Sequence, residues 1–233
     1  MIIIKSDHRL PVDNFDIVVG AGMENGNVQT HGPLLPSSIR CLIVGPSNCG
    51  KTNVMISLII HPDGLRFENV YIYSKSLYQP KYEYLRSVLE PIKEIGYYTF
   101  NNSNDTILDP SEAKQNSIFI FDDVICEQQD PIRAYFSMGR HKNISSFYLA
   151  QTYSRIPKQL IRDNANFLIL FKQDETNLRH VYHDHVSPDI TFEQFLDMCS
   201  KSWQEKHGFL VVDKDSDIDK GRYRKGFDNY IKP

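Results

Sequence analysis

Arg40-Cys41-Leu42-Ile43-Val44 runs directly into Gly45-Pro46-Ser47-Asn48-Cys49-Gly50-Lys51-Thr52, and a largely apolar stretch over residues 54–60 follows. A short apolar run, an octet bounded by glycines and ending Gly-Lys-Thr, and a helical segment reproduce G-x-x-x-x-G-K-[ST] in the strand–loop–helix setting that this motif requires. Such a loop wraps its backbone N–H groups around phosphate oxygens, and the N-terminus of the following helix adds a favourable dipole. Residues Gly45, Pro46, Ser47, Asn48, Cys49, Gly50, Lys51, Thr52 and the adjoining Asn53 are therefore expected to cradle a nucleotide. Lys51 is expected to bridge its β- and γ-phosphates, and the Thr52 hydroxyl to ligate Mg²⁺.

From this stretch outward, short β-type runs alternate with helical segments, the pattern of βαβ units and a largely parallel sheet. Strands are expected over 40–44, 69–73, 118–121, 146–150 and 167–171, with a further strand over 208–212. Helices are expected over 52–60, 82–89, 131–139, 175–182 and 191–200, the third with Asp130 as N-cap and Pro131 at its first position. Residues 1–37, rich in Gly, Asn and Pro, read as an N-terminal arm, and residues 38–233 as a single α/β domain.

The run Ile118-Phe119-Ile120-Phe121 ends in Asp122-Asp123, as a buried central strand does when its C-terminal edge faces a ligand crevice. Asp122 is expected to hold Mg²⁺ through water, and Asp123 to orient and partly deprotonate an attacking water. A pair of solvated acids in a turn is the competing reading. The strand over 69–73 lies between the loop and Asp122, which favours the P-loop branch with an inserted strand and an acidic base, the ASCE type. No Asn-Lys-x-Asp motif occurs, so adenine is the expected base and ATP the expected nucleotide.

The run Ser146-Phe147-Tyr148-Leu149-Ala150 leads into Gln151, whose amide is expected to bond both the water and the γ-phosphate, with a strand-end Gln facing solvent as the competing reading. Arg140, Arg155 and Arg162 flank that strand, and a guanidinium supplied by a neighbouring subunit suits the charge on a transferring phosphoryl group. Arg140 is the first candidate for this role and Arg162 the second. Surface arginines in weak ion pairs are the alternative.

Taken together, the phosphate loop, the Asp-Asp pair, Gly139-Arg140-His141, Gln151-Thr152 and the stretch Arg155-Ile-Pro-Lys-Gln-Leu-Ile-Arg-Asp-Asn-Ala-Asn166 resemble the HerA/FtsK superfamily of P-loop motors. The resemblance is greatest to its poxvirus-type genome-packaging branch. Residues 65–76 and 221–227 look especially like the forms carried by Polinton (Maverick) elements, adintoviruses and virophages. It implies a RecA-like sheet in the order 5-1-4-3-2 with helices on both faces. It also implies a homo-oligomeric ring, often a hexamer, that hydrolyses ATP at subunit interfaces to move double-stranded DNA into a preformed capsid, with capsid or portal proteins as partners. Many relatives have Asp-Glu where this chain has Asp122-Asp123, so the base must reach its water with one methylene less. A cellular-type DNA pump or helicase of the same superfamily and a P-loop nucleotide kinase are the alternative functions.

Composition is compatible with this picture. Of 233 residues, 41% are hydrophobic and 24% charged, values near the globular average, which excludes disordered and fibrous classes. A net charge of −3 argues against an isolated chain that wraps nucleic acid by bulk positive charge, whereas a ring needs only a few basic side chains in its pore. Cys41, Cys49, Cys126 and Cys199 form no metal or disulfide pattern. Neither a secretory signal nor a membrane-spanning run is evident, so an intracellular site is expected, the host nucleus or a virus assembly site, with virion association as a further expectation.

Several weaker signals are set aside. Gly20 to Gly26 imitates a dinucleotide fingerprint, but its third glycine comes late and prolines follow in place of a helix. Asp213-Lys-Asp215-Ser-Asp217 begins like a calcium loop and lacks its glycine and terminal glutamate, so it reads as a solvated turn. His180, His183 and His185 read as helix-end and surface residues ahead of a metal site. Arg222, Arg224 and Lys225 form a basic patch for DNA or a neighbour, or else a solvated tail.

Overall fold

The computed structural model describes residues 31–101, 107–124, 129–187 and 189–233, the side chains of residues 140 and 141 excepted. Residues 1–30 of the expected arm, with the Gly20 to Gly26 run, and Cys126 lie outside the described residues.

In chain order the elements are β1 (Arg40–Val44), α1 (Lys51–Ile60), β2 (Asn69–Ser74), α2 (Pro80–Leu89), β3 (Gly96–Phe100), β4 (Ser117–Asp122), α3 (Asp130–Met138) and β5 (Ile144–Ala150). There follow β6 (Phe167–Leu170), α4 (Glu175–Val181), α5 (Phe192–Ser202), β7 (Leu210–Asp213), β8 (Tyr223–Lys225) and β9 (Asn229–Ile231). The strands form one sheet in the order β3-β2-β4-β5-β1-β6-β7-β8-β9. Numbered over the five strands expected around the motifs, the centre runs 5-1-4-3-2, and all of its neighbours pair parallel. The sheet differs from that order by its additions: β3 pairs parallel outside β2, and β7, β8 and β9 add an antiparallel flank beyond β6.

Continuous apolar runs give the central strands two buried faces, which is what a parallel sheet covered by helices demands. On one face Leu42, Phe119, Phe121 and Tyr148 pack with Ile132, Tyr135 and Phe136 of α3 and with Phe195 and Met198 of α5. On the other, Ile43, Ile120, Phe147 and Leu149 pack with Met55 and Leu58 of α1 and with Tyr82 and Leu85 of α2. The outer strand β3 is drawn in by aromatic stacking. Tyr98 lies 4.6 Å from Tyr71, Tyr71 lies 4.3 Å from Phe119, and Phe119 lies 4.1 Å from Tyr135. Offset stacks of this kind add to the area that each ring buries.

Register places the functional loops on a single rim. Val44 is level with Ala150 and Leu170, and Asp122 is level with Leu149 and Ser74, so the segments after β1, β2, β4, β5 and β6 all leave the sheet at the same edge.

Some local expectations change. The N-cap of α3 is Gln129; Asp130 lies inside the helix and pairs with Arg133 at 2.8 Å, because a carboxylate in the first turn also meets the helix dipole. Thr191 is the N-cap of α5, closing a capping box with Gln194. The residues 222–225 do not form a free basic patch. Arg224 is buried and donates to Asp213 Oδ2 at 2.5 Å, Gly221 O at 2.6 Å and Leu34 O at 2.5 Å; Arg222 pairs with Asp189 at 2.6 Å and Lys225 with Glu205 at 3.2 Å. Asp213 accordingly sits in the core rather than in a solvated turn. Residues 31–37 lie against the domain: Gly32 N donates to Gly64 O at 2.9 Å, and His31 Nε2 meets Ser145 Oγ at 2.9 Å.

Candidate nucleotide-binding site

The loop between β1 and α1 begins by continuing the sheet, with Gly45 N donating to Ala150 O at 3.0 Å. A Cβ at position 45 would stand 2.5 Å from Phe171 Cβ and 2.6 Å from Cys49 Sγ, so only glycine fits there. Asn48 at φ 62° and Gly50 at φ 118° turn the chain back on itself through left-handed backbone. Gly50 is the N-cap of α1 and brings no side chain to it, and the first turn carries no acidic residue, so side chains leave its leading N–H groups to a ligand. The Lys51 ammonium lies along the loop, donating to Gly45 O at 2.6 Å and Pro46 O at 2.9 Å.

Asp122 closes β4, and Tyr82 from α2 donates its hydroxyl to Asp122 Oδ2 at 2.5 Å. Burial raises the Asp122 carboxyl above its ordinary range, while the Tyr82 hydrogen bond and the Lys51 charge pull it down and Asp123 pushes it up. Asp123 has φ 58°, a left-handed conformation that Asp adopts more readily than longer side chains do. This backbone constraint is a physical reason for Asp rather than Glu at this position. Lys51, Thr52, Asp122, Asp123 and Gln151 line one cleft with Ser47, Asn48 and Gly50 of the loop. Asn53 lies on α1 and is exposed.

Hard oxygen donors from Thr52 and Asp122 lining one cleft, the latter a half-buried carboxylate, are the chemistry that suits Mg²⁺. Ser76, Gln79 and Lys81 also line the cleft and were not anticipated. Their signal was present in the strand order: β2 is the neighbour of β4, so the segment that follows it must reach the same rim.

The arginines are distributed differently from one another. Arg140 belongs to the short turn Gly139–Lys142 that leads into β5, at the end of the sheet opposite the cleft; its side chain lies outside the described residues. Arg155 is exposed in the turn beyond Gln151. Arg162 is buried, donates to Asp184 Oδ2 at 2.9 Å and stacks over Tyr153 at 5.0 Å. A guanidinium held this way is an internal tie of its own subunit, whereas the finger role expected of Arg162 needs a guanidinium that reaches a neighbour. His185 is buried against the Tyr153 hydroxyl at 2.7 Å, not at the surface. Among the described residues no group of His, Cys, Asp and Glu is arranged to hold a metal ion.

Residues 30–228 match the family model described as Poxvirus A32 protein. No curated protein sequence matches the chain. Among solved structures, the genome packaging NTPase B204 from Sulfolobus turreted icosahedral virus 2, in complex with AMP, superposes with TM-score 0.53 at 12% identity, over 78% of this chain and 95% of that one. The same protein with ATP-gammaS gives TM-score 0.51 at 14% identity, over 78% and 94%. B204 from Sulfolobus turreted icosahedral virus, described as its DNA-packaging ATPase, gives 0.52 at 14%, over 75% and 92%. At these identities the likeness is one of fold.

Proposed function

This chain belongs to the Poxvirus A32 protein family, and from that premise we propose that it is an ATPase that packages a viral or virus-like genome by moving double-stranded DNA. The observation that carries the reading is the convergence of Lys51 and Thr52 with Asp122, Asp123 and Gln151 in one cleft, from segments that leave three adjacent strands of the sheet.

Hydrolysis joins a water oxygen to the γ-phosphorus and breaks the bond to the ADP oxygen. Asp123 accepts the water's proton, and the Gln151 amide holds that water against the γ-phosphoryl group. Lys51 exchanges the carbonyls of Gly45 and Pro46 for phosphate oxygens, so its charge reaches the ligand without a large movement. Thr52 and Asp122 would hold Mg²⁺, which neutralises phosphate charge when bound.

Arg140 stands at the far end of the sheet from its own cleft, so a contribution to phosphoryl transfer would have to fall in a neighbour's site within the proposed ring, a hexamer in the reading drawn from the sequence. The ring explains how a chain of net charge −3 can handle DNA, and capsid or portal proteins complete the set of partners. No helix among the described residues is long and apolar enough to cross a membrane, and a virus assembly site is the proposed location.

ATP hydrolysis measured with and without duplex DNA, together with particle mass under both conditions, tests the reading. Stimulation by DNA in an assembled particle is expected. A monomer that transfers phosphate to a small acceptor without DNA would instead be a nucleotide kinase.

A further inference from the structure

We propose that a second hollow, on the flank of the phosphate loop away from Asp122 and Asp123, receives the adenine base; this deepens the nucleotide reading above and rests on it. The hollow is lined by Pro46 and Ser47 of the loop, Phe171 and Lys172 beyond β6, and Trp203 and Gln204 beyond α5. Its volume, about 380 Å³, lies in the range of small-ligand sites.

Strand order fixes the direction in which a nucleotide must lie. The acids and Gln151 follow β4 and β5 on one side of β1, so the γ-phosphate end points that way. The opposite end of the ligand must then point toward β6. Ser47 borders both hollows, which makes them neighbours along the loop. Because β7 runs antiparallel to β6, Leu210 at its start is level with Leu170 at the end of β6, and the segment 203–208 arrives at the ligand rim. That segment is held to the phosphate loop by His207 Nδ1, 3.1 Å from Cys49 O.

The chemistry of the hollow suits a purine. Trp203 is half-buried and its indole N–H is taken by Leu170 O at 2.9 Å, so it offers a ligand ring surface and no donor. Gln204 is exposed, and its amide has no hydrogen-bond partner among the described residues. An amide can accept from the exocyclic amine of adenine while donating to the neighbouring ring nitrogen; guanine presents two acceptors on that edge and leaves the amide oxygen unmatched.

Trp203 is the only tryptophan in the chain, so its emission reports on this hollow alone. ATP and AMP are expected to change that emission, while inorganic tripolyphosphate, at concentrations that displace ATP, is expected to leave it unchanged. Gln204→Ala, at an exposed position, should reduce the preference for ATP over GTP by about 10-fold without altering the unfolding temperature. Unchanged emission at saturating, displaceable ATP would overturn the subsite, and an unchanged ATP-to-GTP ratio would overturn the assignment of Gln204. Binding of neither ATP nor tripolyphosphate would defeat the nucleotide reading itself, an outcome separate from both.

Discussion

The hydroxyl of Tyr82 donates to Oδ2 of Asp122 at 2.5 Å, joining residues 40 positions apart. One carboxylate oxygen of this cleft-lining residue is thereby fixed by α2. Tyr82→Phe keeps the buried ring and removes this tie, together with the hydroxyl's bond to Ser74. We expect the Mg²⁺ concentration for half-maximal hydrolysis to rise by about 10-fold, as for other partners of a metal-holding carboxylate. Stability should fall by about 1 kcal/mol for the lost hydrogen bond. A Mg²⁺ titration of phosphate release separates the two effects, since a purely structural residue would leave the half-activation point alone.

Lys51→Ala and Asp123→Asn are each expected to lower ATP turnover by about 10²-fold or more, with Asp123→Asn still binding ATP. Turnover that survives in either variant would remove that residue from the chemistry. Asp123→Glu should retain hydrolysis and lose about 1 kcal/mol of stability, since the longer side chain tolerates φ 58° less well. Phosphate release and urea unfolding of the same samples read both quantities.

Mixing Arg140→Ala subunits with Asp123→Asn subunits is expected to restore part of the activity that each lacks, because mixed boundaries would pair an intact arginine with an intact acid. Assembled particles with no recovery would count against a role for Arg140 across the boundary.

Burial lowers His185 from its ordinary value to about 3, and the charge of Lys214 acts in the same direction against the opposing pull of Asp184. The folded chain therefore keeps this ring neutral where the unfolded chain, with an ordinary value near 6.5, takes up a proton. The sign follows directly: stability is full above about pH 6.5 and declines as pH falls toward 3, by up to roughly 1.4 kcal/mol per pH unit for this one group. Urea unfolding at pH 7.5 and 5.5 should show the loss, and His185→Asn should reduce it.

Arg224 and Asp213 are both almost wholly buried, and the guanidinium serves three acceptors. Arg224→Ala strands the carboxylate in the core and should cost about 3–5 kcal/mol. Arg224→Lys should recover little of this, since an ammonium cannot reproduce the planar fork. Denaturant midpoints measure both changes.

What the sequence discloses follows from how local each constraint is. The loop from Gly45 to Thr52 and the end of β4 at Asp122 are each written in one contiguous stretch, and the order of the five central strands follows from the family pattern that these motifs carry. Tyr82 was not legible as a partner of Asp122, because the contact depends on how α2 packs over the sheet. The fate of Arg162 turns on Asp184, which is 22 residues away and is brought to it only by the tertiary fold. The strand β3 was missed although Tyr97, Tyr98, Thr99 and Phe100 favour strands; its place beside β2 rests on tertiary stacking on Tyr71 and Tyr73. Likewise the basic character of 222–225 says nothing of the buried acid that waits for Arg224.

The attachments of residues 31–37 also have a mechanical meaning. His31 is tied to Ser145 on β5, and the carbonyl of Leu34 to Arg224 on β8, so the two anchor points straddle β1. A stretching force applied at residue 31 thus meets first a tie to the middle of the sheet and then one to its antiparallel flank. The strand that carries the phosphate loop, which begins at Arg40, is reached only after both ties have given way.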